Sequence, residues 1–368
     1  MSTDAPVVFE ELPCESDRVI GLARLNAQRS LNALSLPMIH LLHEQLTAWA
    51  ADERVACVWL EGAGEKAFCA GGDIVEMYRS MTPVGERNAF IEDYFASEYR
   101  LDHLIHVYEK PLICWAHGIV MGGGMGLMQG ASQRVVTEKT KLAMPEITIG
   151  LYPDVGGSFF LNRTPGKTGL FAGLTGVHLN AGDALFMGMA DVFIHAERRD
   201  AVLSALQALS LSGDAATDHA LVHRLLREAS PQETPASPVR EHFDDINRVC
   251  DGATLVEVGE ALLHSKGYSD WMQRAVSTFE RGCAQTAWLV WEQLRRARHL
   301  SLGDVFRMEW IMSVQCAMHP DFREGVRALL IEKDGAPQFR YHKPEEVPVG
   351  YIDGFFELPA ASHPLADL

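Results

Sequence analysis

Two short segments carry glycine where chemistry can use it. One is Lys66-Ala67-Phe68-Cys69-Ala70-Gly71-Gly72-Asp73-Ile74. The other is His117-Gly118-Ile119-Val120-Met121-Gly122-Gly123-Gly124-Met125-Gly126-Leu127. Each follows an apolar, strand-like run and precedes a helical pattern. A glycine turn that opens a helix leaves backbone N–H groups unpaired and outward, with the positive end of the helix dipole behind them. Two such loops facing one another offer two donors to one oxygen, which is what an oxyanion formed from a carbonyl requires. Plain turn geometry is the commoner use of such glycines. Nucleotide binding fails on spacing. Three residues after Gly124 stands Leu127, so G-x-G-x-x-G is not met, and no G-x-x-x-x-G-K-[ST] occurs.

The elements that must position these loops alternate between strand and helix. Val19 to Leu25 reads as a strand with Ile20 and Leu22 on one face. Leu36 to Trp49 has helical spacing, with Met38, Leu41, Leu42, Leu46 and Trp49 apolar. Val55 to Leu60, Pro111 to Ala116 and Arg134 to Val136 are runs too short for helices, and Leu142-Ala143 leads into a loop rich in Pro and Gly. This interleaving implies an α/β architecture. After about residue 195 long helical patterns take over, as in Ala201 to Leu211, Asp218 to Ala229 and Ala284 to Arg298. Ser230 to Pro238, with three prolines, reads as a surface loop, and Pro337 onward as an extended tail. The expected division is therefore a mixed core over residues 1–195 and a mostly helical region over 196–368.

At 368 residues and 47% hydrophobic, with 22% charged and a mean hydropathy of −0.02, the chain can bury a large core and is neither disordered nor fibrous. Its net charge of −17 repels phosphate backbones and anionic lipid, which argues against nucleic-acid and membrane partners. Seven cysteines, an odd number with no C-x-x-C pair, indicate neither a disulfide framework nor a zinc site. Met1 to Asp17 contains Asp4, Glu10, Glu11, Glu15 and Asp17, unlike a signal or transit peptide. No apolar run approaches the length of a membrane span. A reducing cytoplasm is the expected compartment.

Taken jointly, Leu25-Asn26, Arg29, Asn32-Ala33-Leu34, Ala67 to Asp73 and Gly118 with Gly122 to Gly124 resemble the crotonase (enoyl-CoA hydratase/isomerase) superfamily. Met144-Pro145-Glu146 and Gly150-Leu151-Tyr152-Pro153-Asp154-Val155-Gly156-Gly157 are similar to its 3-hydroxyisobutyryl-CoA hydrolase branch. So are Met308-Glu309, His319 to Ala328 and Lys333-Asp334. The resemblance covers about residues 15 to 345 and implies a crotonase-like spiral of ββα units, followed by a helical C-terminal region. It further implies an acyl-CoA substrate, with no cofactor apart from the coenzyme A of that substrate. The thioester oxygen then sits between the N–H groups of Gly72 and Gly123, and the substrate runs past Ala70 and Asp73. Adenine lies near Ala67 to Ala70, and Arg29 and Lys66 meet the phosphates. Relatives of this kind often form trimers, so a homo-oligomer is expected unless the helical half replaces those contacts.

Hydration of an enoyl thioester uses two carboxylates, and in the hydratase pattern the first follows the glycine triplet by two residues. Here that position is Gly126. The second acid is kept as Glu146, and a new one stands at Asp154. Two nearby carboxyls push their pKa values apart, giving one basic and one proton-bearing partner. Under a thioester-hydrolase reading, Glu146 is general base on water or attacks directly to give a transient anhydride. Asp154 orients the water or the substrate hydroxyl and supplies a proton to the departing thiolate. The resemblance also implies that Glu98 contacts that hydroxyl, with a helix-face salt bridge as the competing account of this residue. His117 reads as structural, and Cys69 has no base beside it to make it a nucleophile. The leading expectation is hydrolysis of a small β-hydroxyacyl-CoA, 3-hydroxyisobutyryl-CoA of valine breakdown. Its rivals are an enoyl-CoA hydratase or isomerase, and a non-catalytic acyl-CoA-binding protein.

Overall fold

Nine strands organise the described part of the chain, which in this computed structural model runs over residues 5–368. Asp4, at the head of the acidic N-terminal stretch, lies outside the described residues. The strands are β1 (Val7–Pro13), β2 (Val19–Leu25), β3 (Val55–Gly62), β4 (Ala67–Cys69), β5 (Leu112–Ala116), β6 (Ile119–Met121), β7 (Gln133–Val136), β8 (Lys141–Ala143) and β9 (Val192–Phe193). They form a six-stranded sheet in the order β1-β2-β3-β5-β7-β9 and a three-stranded sheet in the order β4-β6-β8. Each of the pairs β3/β4, β5/β6 and β7/β8 thus gives one strand to each sheet before a helical segment follows. That alternation is a ββα spiral. In the six-stranded sheet β1 runs antiparallel to β2, while β2/β3, β3/β5, β5/β7 and β7/β9 are parallel.

Contacts divide the chain into two compact units. The first holds the described residues up to Gly72 together with Leu101–Leu142 and Leu179–Ser237. Its core follows from the two-residue period of a strand. Ile20 and Leu22, Cys57 and Trp59, and Ile113 and Trp115 share one face of the large sheet, and the two tryptophan rings stack at 5.4 Å. Helices Arg199–Gln207 and Ala215–Ala229 cover that face with Val202, Leu203, Leu206, Val222 and Leu226. Each such side chain contributes roughly 1.5–3 kcal/mol by leaving water. The compact units therefore do not follow a cut at residue 195, because the first helices beyond it close the core of the sheet. The change of texture is real in another sense: after β9, every element among the described residues is helical. Residues 230–237 carry no helix or strand, and Asn180 and Asp183, which cap the next-door helix Ala181–Phe186, bond Ala236 and Ser237.

The second unit holds Asp73–Arg100, Ala143–His178 and Pro238–Leu368. It is helical apart from the last residue of β8. Two of its helices, Ala284–Ala297 and Leu302–Met318, grip the loop between Glu146 and Gly157. Thr286 Oγ1 donates to the Leu151 carbonyl at 2.6 Å, and Gln293 Nε2 donates to the Pro153 carbonyl at 3.0 Å. Gly150 sits at φ +72°, and a Cβ there would lie 2.4 Å from the Asp321 carbonyl oxygen, so only glycine fits. The segment after Pro337 is not a plain extended tail. It contains the 3-10 turns Pro344–Glu346 and Ile352–Phe356, because Ile352, Phe355 and Leu365 are apolar and buried.

Candidate active site

In the first unit the two glycine loops leave the same end of neighbouring strands. β4 and β6 are parallel, with Cys69 opposite Val120, so Ala70-Gly71-Gly72 and Gly122-Gly123 emerge side by side at strand spacing. A Cβ on Gly71 would stand 3.4 Å from the Met121 carbonyl. Gly123 is the first residue of helix Gly123–Gly130, so its N–H belongs to the first-turn donors that find no partner within the helix. The adjacent Gly124 brings that helix against β4, where a Cβ would lie 2.3 Å from the Cys69 carbonyl oxygen. Buried Asn32 braces the first loop from behind. Its Nδ2 donates to the carbonyls of Ala63 and Ala67, and its Oδ1 accepts from Ala27 N–H. Leu34 N–H donates to Gly71 O, and Ala70 N–H to Leu31 O.

In the second unit three carboxyls sense one another. Glu98 rides on helix Ala89–His106, Glu146 opens the 3-10 turn Glu146–Thr148, and Asp154 lies in the loop that follows. All three are at most 4% exposed. Burial first, then the charge of Asp154, then that of Glu98, hold Glu146 well above the ordinary carboxylate range. Glu98 is raised by burial and by Asp154. Asp154 is pushed up by burial only to about 6, because the Tyr99 hydroxyl donates to its Oδ2 at 2.6 Å. Glu98 Oε1 and Glu146 Oε2 are buried without a hydrogen-bond partner. Asp154 is therefore the most readily ionised of the three, while burial and its charge push Glu98 and Glu146 toward their protonated forms.

A fourth buried carboxyl, Glu309, fixes the loop that carries Asp154. Its two oxygens accept the N–H groups of Gly156 and Ser158 at 2.7 and 2.8 Å. Burial nevertheless lifts it to about 8, against the pull of those donors. Between Asp154 and Gly156, Val155 is held at φ 52°. For a β-branched residue that is strained, by about 1–3 kcal/mol, and the hydrogen bonds on either side impose it.

Sequence-expected residues thus fall into two groups, the glycine donors Gly72 and Gly123 in the first unit and the acids Glu98, Glu146 and Asp154 in the second. Asp73 spends its carboxylate on the N-cap of helix Ile74–Ser80, accepting Glu76 N–H at 2.9 Å. Ala70 is half-buried, and Arg29 and Lys66 are exposed. His117 bonds the Gly64 carbonyl through Nε2 at 2.8 Å, and Cys69 is buried. Among the described residues no three His, Cys, Asp or Glu side chains gather to hold a metal ion. Tyr99, Tyr152, Glu309 and Ser313 were assigned no part from the sequence. One signal pointed to two of them: Val305, Phe306, Glu309, Met312, Ser313 and Cys316 lie at helical spacing, and a Glu and a Ser break the otherwise apolar stripe.

The ββα spiral and the paired glycine loops define a class. The chain belongs to the enoyl-CoA hydratase/isomerase family, whose model matches residues 20–356. It is 36% identical over 339 residues to the protein named 3-hydroxyisobutyryl-CoA hydrolase, mitochondrial, of Gallus gallus, covering 92% of this chain and 86% of that one. The protein of the same name from Homo sapiens is 33% identical over 353 residues, or 96% and 90% of the two chains. Among solved structures, a carnitinyl-CoA dehydratase from Mycobacterium thermoresistibile superposes with a TM-score of 0.85 at 34% identity over 98% of each chain. An enoyl-CoA hydratase from Rhodobacter sphaeroides 2.4.1 gives 0.83 at 30% identity, over 96% and 97%.

Proposed function

We propose that the protein hydrolyses the thioester of a small β-hydroxyacyl-CoA, namely 3-hydroxyisobutyryl-CoA, to 3-hydroxyisobutyrate and coenzyme A in valine catabolism. The relatives of that name, similar over more than 90% of the chain, support it. One observation decides against the hydratase and dehydratase names of the structural neighbours. Gly126 stands in helix Gly123–Gly130 with no side chain to offer, so hydration lacks its first acid. An isomerase needs one carboxyl only, and the acids here number three. A mere binding protein has no use for so many buried carboxyls, since burying an ionisable group without a partner is costly.

In this reading Gly72 and Gly123 donate their N–H groups to the thioester oxygen, and the charge that develops there is stabilised in place. Glu146, with an unpartnered oxygen, is the general base on water or the nucleophile of a transient anhydride. Asp154 orients water or substrate and protonates the departing thiolate, and Glu98 meets the acyl hydroxyl. Ala70 and Asp73 flank the coenzyme A, with Arg29 and Lys66 near its phosphates. Residues 1–195 are the acyl-CoA-binding part and 196–368 the mostly helical region that supports it. No cofactor is needed beyond the coenzyme A of the substrate, and a homo-oligomer is proposed. For compartment we propose the cytoplasm. All seven cysteines are free thiols, which supports a reducing one.

The test is direct. Purified protein mixed with 3-hydroxyisobutyryl-CoA releases free thiol, and Glu146→Gln abolishes turnover, by at least about a hundredfold as for a lost acid–base group, while acyl-CoA binding persists. Turnover of crotonyl-CoA with no thiol release from the hydroxyacyl ester overturns the proposal.

A further inference from the structure

Behind Asp154 runs a chain of hydroxyl groups that the reaction as written does not use. Tyr99 Oη lies 2.6 Å from Asp154 Oδ2 and 2.7 Å from Ser313 Oγ. Ser313 Oγ lies 2.8 Å from Tyr152 Oη, and the Tyr152 hydroxyl donates to the Glu309 main-chain carbonyl at 2.6 Å. Tyr99, Tyr152 and Ser313 are all fully buried, so water does not substitute for a missing bond. The single hydrogen of Tyr152 is committed to a carbonyl, which has none to give. That limits the arrangements open to the rest.

When Asp154 is an anion, Tyr99 donates to it and Ser313 donates to Tyr99 or to Tyr152. When Asp154 carries a proton on Oδ2, the order reverses: Asp154 donates to Tyr99, Tyr99 to Ser313, and Ser313 to Tyr152. Every hydroxyl hydrogen has an acceptor in both arrangements. Glu98 and Glu146 have no such device, since each keeps an unpartnered oxygen.

We propose that Tyr99, backed by Ser313 and Tyr152, is a positioning residue that makes Asp154 the carboxyl of this cluster built to change its protonation state. This deepens the hydrolase reading and rests on it for the reacting groups. Before reaction the cluster's charge rests on Asp154; substrate engagement moves a proton from Glu146 to Asp154, and the hydroxyl chain turns over to receive it. Water then adds to the thioester carbon while Glu146 takes one of its protons. The C–S bond breaks, its electron pair goes to sulfur, and the Asp154 proton follows. Acid and thiol leave, Glu146 again bears a proton, and Asp154 is again the anion. Atoms and charge balance with water as the only co-substrate.

The titratable groups that face Asp154 are Glu98 and Tyr99 from helix Ala89–His106, Glu146 from its turn, and Tyr152 from the loop. Glu309 and Cys316 face it from helix Leu302–Met318. None is basic, so charge at Asp154 is favoured against them by the Tyr99 hydroxyl first, and after it by a main-chain hydrogen bond at Asp154 itself.

Tyr99→Phe removes one oxygen and keeps the ring packed between Phe95 and Phe306. Two readouts apply. The acid limb of the kcat/KM–pH profile reports the first ionisation of the coupled carboxyls. It is expected to move up by about one unit or more, the worth of a hydrogen bond to a charged group, with KM little changed. Ser313→Ala, which keeps the Tyr99–Asp154 bond, is expected to move it the same way but less. Independently of turnover, the carboxyl of Asp154 in aspartate-labelled protein, followed by carbon NMR with Asp154→Asn to assign it, is expected to titrate at higher pH in Tyr99→Phe. An acid limb and an NMR titration both unmoved, or moved down, overturn the proposal. Wild-type protein that releases no thiol from the hydroxyacyl ester sinks the hydrolase reading instead, and the NMR titration still judges Tyr99.

Discussion

Glu309 gives the molecule a pH dependence whose sign can be worked out. Burial pushes its carboxyl up to about 8 from an ordinary 4.5. Between those values the folded state holds a proton that the unfolded chain has released. Stability contributed by this group therefore falls as pH rises from the unfolded value through the folded one. Glu309→Gln cannot ionise and keeps one acceptor oxygen for the two N–H groups it must serve. Thermal unfolding followed between about pH 5 and about pH 9 is expected to show wild type losing midpoint with rising pH, and the variant losing less. An identical slope would mean that Glu309 stays ionised throughout. At this scale local motifs are enough to single out Glu146 and Asp154 as candidates, and the structure buries both. The sequence is opaque where the partner is remote: Tyr99 meets its neighbours across 55 and 214 positions, and no local period records such a bond.

Strands that are long and buried on both faces announced themselves. All residues of β3 and β5 are buried, and central parallel strands read as continuous apolar runs. By contrast β4, β6 and β8 have three residues each, too few to establish a period, although β4 and β6 lead into the glycine loops. β1 was not expected either, since Glu10 and Glu11 interrupt its pattern; as an antiparallel edge strand it turns several residues toward water. The short strands do their work through close approach, and Gly124 is the point to test it. Gly124→Ala sets a methyl group against the Cys69 backbone, which is expected to push helix Gly123–Gly130 off β4 and cost about 1–3 kcal/mol. Because Gly123 moves with the helix, kcat is expected to fall by tenfold or more. A stable variant with unchanged kcat would show that the Gly123 N–H does not bear on the reaction.

Across the whole chain the two compact units are threaded rather than strung. Neither is a continuous stretch, and the helical residues 199–229 complete the face that holds Trp59 and Trp115. A fragment of residues 1–195 is accordingly expected to show no cooperative thermal transition by circular dichroism. A sharp transition would mean that the sheet stands without its cover. The net charge of −17 also changes in meaning at this scale. The proposed ligand is an anion, so its capture must rest on local donors set against the field of the molecule as a whole.

The threading also sets a timetable for synthesis. The chain leaves the first unit after Gly72, rejoins it at Leu101, leaves after Leu142, rejoins at Leu179 and leaves finally after Ser237. A ribosome working from the N-terminus must therefore deliver the chain as far as Ser237 before that unit has all its parts. The other waits for residues still later. Folding one domain at a time behind the ribosome is closed to such a chain. Until the helices as far as Ala229 are made, the face that holds Trp59 and Trp115 lacks its cover, and apolar surface left open in that way favours aggregation.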